Sequence, residues 1–207
     1  MLVILVQFLA PGVVRNRIMS ALSGMGLNVS GMEVLRVGWH RIAIADIQVA
    51  GQAGTEGLRV DQVLVDYSPW QLWHGNVDRV LLSGAEITVL RNSNSLTIAG
   101  FEKYRSSTGG GRFSLGAIVV TNSELLLVSP ERTLRAAFCV CMAQADKARV
   151  YDVTAEVRQM GEMVHVAGKL DTASGNGAVT VTADRYPAMK LATLAGMSAE
   201  GVPRVTM

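Results

Sequence analysis

IAIADIQV, residues 42–49, alternates through Ile42 and Ile44 and then slips by one residue, so that Ile47 and Val49 fall on the opposite parity. In a regular strand, successive side chains point to opposite faces, and the slip would split this apolar set between two sides of a sheet. One extra residue near Ala45-Asp46, a β-bulge, returns all four to one face while bending and twisting the strand. The next stretch repeats the pattern: Leu58 and Val60 precede Val63, Val65 and Tyr67, with the extra residue at Asp61-Gln62. A curved sheet follows, with one continuous apolar face and Arg59, Asp66 and Arg79 on the other.

Working outward, three segments share one template: I-A-D-I-Q-V-A-G from Ile44, V-D-Q-V-L-V-D-Y from Val60 and V-D-R-V-L-L-S-G from Val77. Their starts lie 16 and 17 residues apart, the length of a strand plus a turn. A fourth copy, L-G-A-I-V-V-T-N, begins at Leu115, and the match continues: V-L-L-S-G-A-E-I-T-V-L from Val80 sits over I-V-V-T-N-S-E-L-L-L-V from Ile118. Apolar positions, small residues typical of turns and the glutamate are kept. Two similar β-groove modules are expected, 38–103 and 113–186. Between them YRSSTGGGR, residues 104–112, reads as a flexible linker.

Strands are expected at Thr133–Ala143, Arg149–Arg158, Met163–Asp171 and Ala178–Asp184, joined by short turns into an antiparallel meander. Val150 opens an apolar alternation continued by Val164, Val166 and Leu170, then Val179 and Val181. Asp152, Thr154, Glu156 and Arg158 take the other side. Met189, Leu191, Leu194 and Met197 suggest a short helix after Pro187, so 187–207 reads as the start of a further element beyond an open sheet edge.

YSPWQLWHG, residues 67–75, interrupts the strands. Ser68 can cap a free N–H and Pro69 suits the first helical position, while Gly75 fits the end. A single helical turn carrying Trp70, Leu72 and Trp73 is expected, stable only if its aromatics pack on the sheet. His74 faces solvent.

The N-terminus, MLVILVQFLAPGVVRNR, is an uncharged apolar run as far as Val14. It is short of the roughly 20 residues a spanning helix needs, and no positive charge precedes it as in a secretory signal. Three readings fit: a signal-anchor whose start is missing, a buried core segment, or a degenerate signal peptide. The anchor reading over 1–14 is kept, although Arg15 and Arg17 on its far side oppose an N-inside orientation. Val14, Ile18, Leu22 and Met25 then recur at helical spacing, giving an amphipathic helix and linker over 15–37.

Composition bounds the function. Hydrophobic residues are 49% and charged ones 17%, which fits an ordered protein, while aromatics are only 5%. The net charge of +2 comes without a basic run, which argues against nucleic-acid binding. His40, His74 and His165 stand alone, outside any metal-ligand spacing. Cys139 and Cys141 share a strand face at roughly 6.5–7 Å, stretched for a disulfide, and read as small apolar residues on a packed or lipid-facing surface. Asp61, Asp66 and Asp78 sit where solubility alone would place them, GMGLNVSG at 24–31 lacks a dinucleotide fingerprint, and no G-x-S-x-G elbow occurs. No catalytic residue, metal or cofactor is expected.

The apolar segment, the P-G-x-x-R start at Pro11, the V-x-x-V-x-V-x-Y-S-P-W-x-L-W-x-G corner from Val60 and the V-x-x-V-x-L-x-G-A-x-I-x-V run from Val77 resemble the N-terminal part of AsmA-like proteins of the YdbH family, and more distantly TamB, over roughly residues 1–186. The resemblance implies a mainly β, taco-shaped antiparallel groove with an N-terminal helix and a short helical corner. It implies a chain held at the bacterial inner membrane, its bulk in the periplasm, passing phospholipid toward the outer membrane. This chain is far shorter than a full bridge. The lining expected for the groove is Ile42, Ile44, Ile47, Val49, Leu58, Val60, Val63, Val65, Val80, Leu82, Ile87, Val89, Leu125 and Leu127. A charge at mid-groove, Val65→Glu, is expected to block lipid without unfolding the sheet. The alternative is an envelope scaffold whose open edge pairs with a partner protein.

Overall fold

A computed structural model describes residues 2–51, 56–92, 95–101, 114–130, 133–145, 150–159, 161–171 and 176–183. The linker at 104–112 and the helix expected after Pro187 lie outside the described residues. The chain begins with a helix, α1 (Leu2–Gly24), followed by β1 (Val29–Val37), β2 (Arg41–Ala50), β3 (Glu56–Asp66), a one-turn helix α2 (Pro69–Trp73), β4 (Asn76–Asn92) and β5 (Ser95–Ile98). Then come β6 (Ser114–Val128), β7 (Thr133–Gln144), β8 (Val150–Gln159), β9 (Glu162–Asp171) and β10 (Asn176–Ala183). All ten strands form one open, curved sheet in the order β1-β2-β3-β4-β6-β7-β8-β9-β10, with β5 on β4. The ladder crosses from the first expected module into the second without a break.

The sheet is mixed, which corrects the antiparallel expectation. β4 and β6 run parallel, pairing Val80 with Ile118, Leu82 with Val120 and Ile87 with Leu125. The offset is 38 residues, the same offset at which the two segments align in sequence, so like residues lie side by side. A two-residue turn cannot join parallel neighbours. Here the short return strand β5, antiparallel to β4, begins the connection.

The slips in alternation form a line across the sheet. Ala45 pairs with Gln62 and Ile47 with Val60, so the extra residues Asp46 and Asp61 meet at one level and the register is unchanged. In β4 the same level is Gly84, and in β6 it is Asn122. Asp46, Gly84 and Asn122 all take positive φ, at 50°, 66° and 50°. Glycine, Asn and Asp tolerate that region best. A side chain at Gly84 would collide with the Asp61 carboxylate. β4 and β6 therefore run straight through positions that read as turns, and the crease bends them instead. Ser123 stitches it: its buried hydroxyl accepts the Ala85 N–H at 3.0 Å and donates to the Thr121 carbonyl at 2.9 Å.

α1 runs without a break through Pro11, so the segment expected over 1–14 and the helix expected after it form a single helix, and residues 29–37, grouped above with the linker, are the first strand. Gly26, at φ 85°, ends the helix, and the Leu27 N–H reaches back to the Leu22 carbonyl. Proline removes its own N–H from the ladder and crowds the carbonyl one turn earlier, and packing holds the half of the helix after it in place. Val14, Ile18 and Met19 press onto a buried cluster of Met32, Val34, Ile44, Val60, Val63 and Ala85. The Arg15 side chain donates to the Met32 carbonyl at 2.9 Å. Each buried valine or isoleucine there contributes about 1.5–3 kcal/mol. No helix among the described residues is long and apolar enough to cross a membrane.

Candidate functional site

Register puts the fourteen expected lining residues on one face. Ile42, Val65, Val80, Ile118, Met142 and Val153 form one row across the strands, continued through Gly168 to Val179. Ile44, Val63, Leu82, Val120, Val140, Ala155, Val166 and Val181 form the next. Beyond the crease, Ile47 and Val60 lead a third row, Val49, Leu58, Ile87 and Leu125 a fourth, and Val89 and Leu127 a fifth. Aliphatic rows of this length follow from period-2 alternation kept in phase across the crease.

The face is not uniform. Over β1–β4 it is the protein's own core: Ile44, Val49, Val60 and Val63 are buried, and Val65, Val80 and Leu82 pack against the same cluster beneath α1. From β7 onward no described element covers it. Val140, Val153, Val157, Val164 and Val166 are half-buried, and on β10 Val179 and Val181 are 59% and 43% exposed. The uncovered part is thus built largely from residues absent from the expected lining. Their alternation was visible in the sequence, but the template that picked out the lining did not extend to them. Val150 does not belong there: it pairs with Asp171 and shares the parity of Asp152 and Thr154, while Tyr151, Val153 and Ala155 take the apolar side. The buried Tyr151 lays its ring across β7 and donates to the Leu115 carbonyl at 2.9 Å, tying β8 to β6.

The opposite face carries charge. Arg135 meets Glu124 at 3.4 Å, His165 meets Glu156 at 3.5 Å and Lys169 meets Asp152 at 3.6 Å. Cys139 and Cys141 lie on this polar face, with Cys139 Sγ 3.8 Å from a Glu156 oxygen, so they are not part of the apolar surface. A hollow of about 560 Å³ over the crease is lined by Arg59, Asp61, Glu86, Glu124, Glu156 and Arg158 among others. Acids and arginines alternate in it, as on a surface of exposed ion pairs. No group of three His, Cys, Asp or Glu side chains that could hold a metal occurs among the described residues.

The corner differs from expectation in what holds it. α2 begins at Pro69, and Gly75, at φ 78°, turns the chain into β4. Trp70 and Trp73 are 74% and 87% exposed and do not pack on the sheet. Leu72 lies within α2, and Ser68, just before it, is half-buried. The corner is fixed by its flanks instead. The Tyr67 N–H donates to the His40 carbonyl at 2.9 Å and its hydroxyl to the Gly38 carbonyl, while the Ser114 N–H donates to Gly75. Asp66 is clamped between Arg41 and Arg79, the latter at 2.8 Å. The Arg41 hydrogen bond holds the Asp66 carboxyl below the ordinary range against partial burial, with Arg79 adding to it. Burial pushes the Tyr67 phenol up. His40 and His74 are exposed, and His74 Nδ1 lies 2.8 Å from the Trp70 carbonyl.

No family model matches the chain, and no curated protein is significantly similar to it.

Proposed function

We propose that the protein is a non-enzymatic lipid carrier that holds phospholipid acyl chains on the apolar face of its sheet, attached to the bacterial inner membrane through α1 and moving lipid across the periplasm toward the outer membrane. The observation that carries this reading is the in-phase aliphatic rows crossing eight strands, covered by α1 at one side and, from β7 onward, with no described element over them. Branched aliphatic side chains with few polar atoms hold an acyl chain by removing it from water, at about 0.8 kcal/mol per CH₂, without fixing one ligand. The resemblance to AsmA-like proteins supplies the compartment and the direction.

Because Val65 packs against the buried cluster, a charge there disrupts the core and does not isolate the lipid site. Val166→Glu places the charge in the uncovered rows. The test is to purify the full chain and this variant from a bacterial host in mild conditions and identify co-purifying lipid by mass spectrometry. Phospholipid present in the wild type and lost in a folded Val166→Glu variant supports the carrier. A folded wild-type chain free of lipid refutes it and favours the scaffold reading, in which β10, an edge strand with exposed Val179 and Val181, pairs with a strand of an envelope protein.

A further inference from the structure

All three tryptophans of the chain are exposed, and all three lie at one end of the sheet. Trp39, 76% exposed, sits in the turn between β1 and β2, and Trp70 and Trp73 sit on α2 between β3 and β4. These two connections adjoin: Tyr67 bonds to Gly38 and His40, and Trp39, Tyr67 and Ser68 line one shallow recess. An indole left in water this fully gives no folding stability, yet it combines an apolar ring with one N–H donor, the combination that favours the boundary between hydrocarbon and lipid headgroups.

α1 leads to the same end. Its last turn stands at the opposite end of β1, and Arg15 has climbed to the level of Met32. From Met32 to the Trp39 turn is about 20 Å of strand. From Arg15 to Leu2 is also about 20 Å of helix. α1 therefore runs antiparallel to β1, and its first turns, LVILVQFLA without a charge, point toward the end of the sheet that carries the tryptophans.

We propose that this end of the sheet docks on a phospholipid bilayer, with Trp39, Trp70 and Trp73 seated at the headgroup level around the entry point of α1. The proposal rests on the membrane attachment above but not on acyl-chain cargo. Exposed arginines Arg36, Arg41 and Arg79 flank the docking end, and Asp66 offsets only one of the two charges of Arg41 and Arg79, so the contact is made with the anionic phosphates that every phospholipid headgroup carries.

The test uses the full chain in three single-tryptophan forms, the other two positions changed to Phe, mixed with phosphatidylcholine–phosphatidylglycerol vesicles with or without brominated acyl chains, which quench only indoles at the bilayer. Quenching of each remaining tryptophan by brominated vesicles is the expected result, with vesicle partition falling about tenfold or more in the triple Trp→Ser variant. Since the three side chains bury little, these changes leave the circular dichroism spectrum intact. Vesicle binding without quenching overturns the proposal while leaving attachment through α1 standing. No vesicle binding at all overturns both. Quenching retained in Val166→Glu separates docking from cargo.

Discussion

At the scale of single residues, the crease depends on side chains that look unremarkable in the sequence. Ser123 is 2% exposed and is the partner of the Ala85 N–H. Ser123→Ala leaves that donor buried and unpaired, so unfolding in urea should show a loss of about 1–3 kcal/mol. Gly84→Ala meets both a positive φ and the Asp61 carboxylate, and an equal or larger loss is expected, partly restored by Asp61→Ala. Asp66 gives a pH signature. Its carboxyl is depressed in the folded state, so its contribution is complete above the unfolded value of about 3.9 and fades as pH falls through the folded one. The stability gap between wild type and Asp66→Asn should therefore be present at neutral pH and close on acidification below about 4; a gap unchanged by acid would contradict the clamp. The break in alternation at Asp46 and Asp61 was legible because parity must be kept for an apolar face to exist, but the structure makes it one matched crease with the register unchanged and not the bulge expected in each strand. The role of Ser123 was not, because alignment over Ala85 shows a small residue in either case and says nothing about hydrogen bonds.

At the scale of elements, α1 decides which part of the apolar face is core and which is free. Ile18→Asp puts a charge between the helix and the cluster of Ile44, Val60 and Val63, and should cost about 2–4 kcal/mol while raising hydrogen exchange in β1 and β2. Val65→Glu should destabilise for the same reason, and Val166→Glu, on a half-buried strand with no described element above it, should cost markedly less. Equal losses in the two would mean that the β7–β10 face is also covered. The sequence could not assign this difference, since both regions show the same period-2 pattern. It also could not distinguish a parallel from an antiparallel β4–β6 pair, because the alternation is identical in both. The expected packing of Trp70 and Trp73 failed on a physical point: a one-turn helix needs fixed ends, and Tyr67 and Asp66 supply them without help from the indoles.

At the scale of the whole molecule, a single ladder with two edges sets a gradient of stability. β3, β4 and β6 are paired on both sides and feed the buried cluster, while among the described residues β10 pairs with β9 alone. Opening free energies fall toward unsupported edges, so hydrogen exchange should be slowest around Val60–Val65 and fastest over 176–183; uniform protection would require a partner on β10. An exposed edge carrying Val179 and Val181 is also a template for another strand. The purified chain should associate as its concentration rises, and Val181→Lys, a charge directed into the apolar row at that edge, should shift sedimentation toward monomer without changing the exchange pattern of β3 and β4. If association persists in Val181→Lys, strand addition at β10 is not its route. The uncovered rows of β7–β9 would then be the surface that drives it, the same surface proposed to hold acyl chains, and added phospholipid would suppress it by competing for that face.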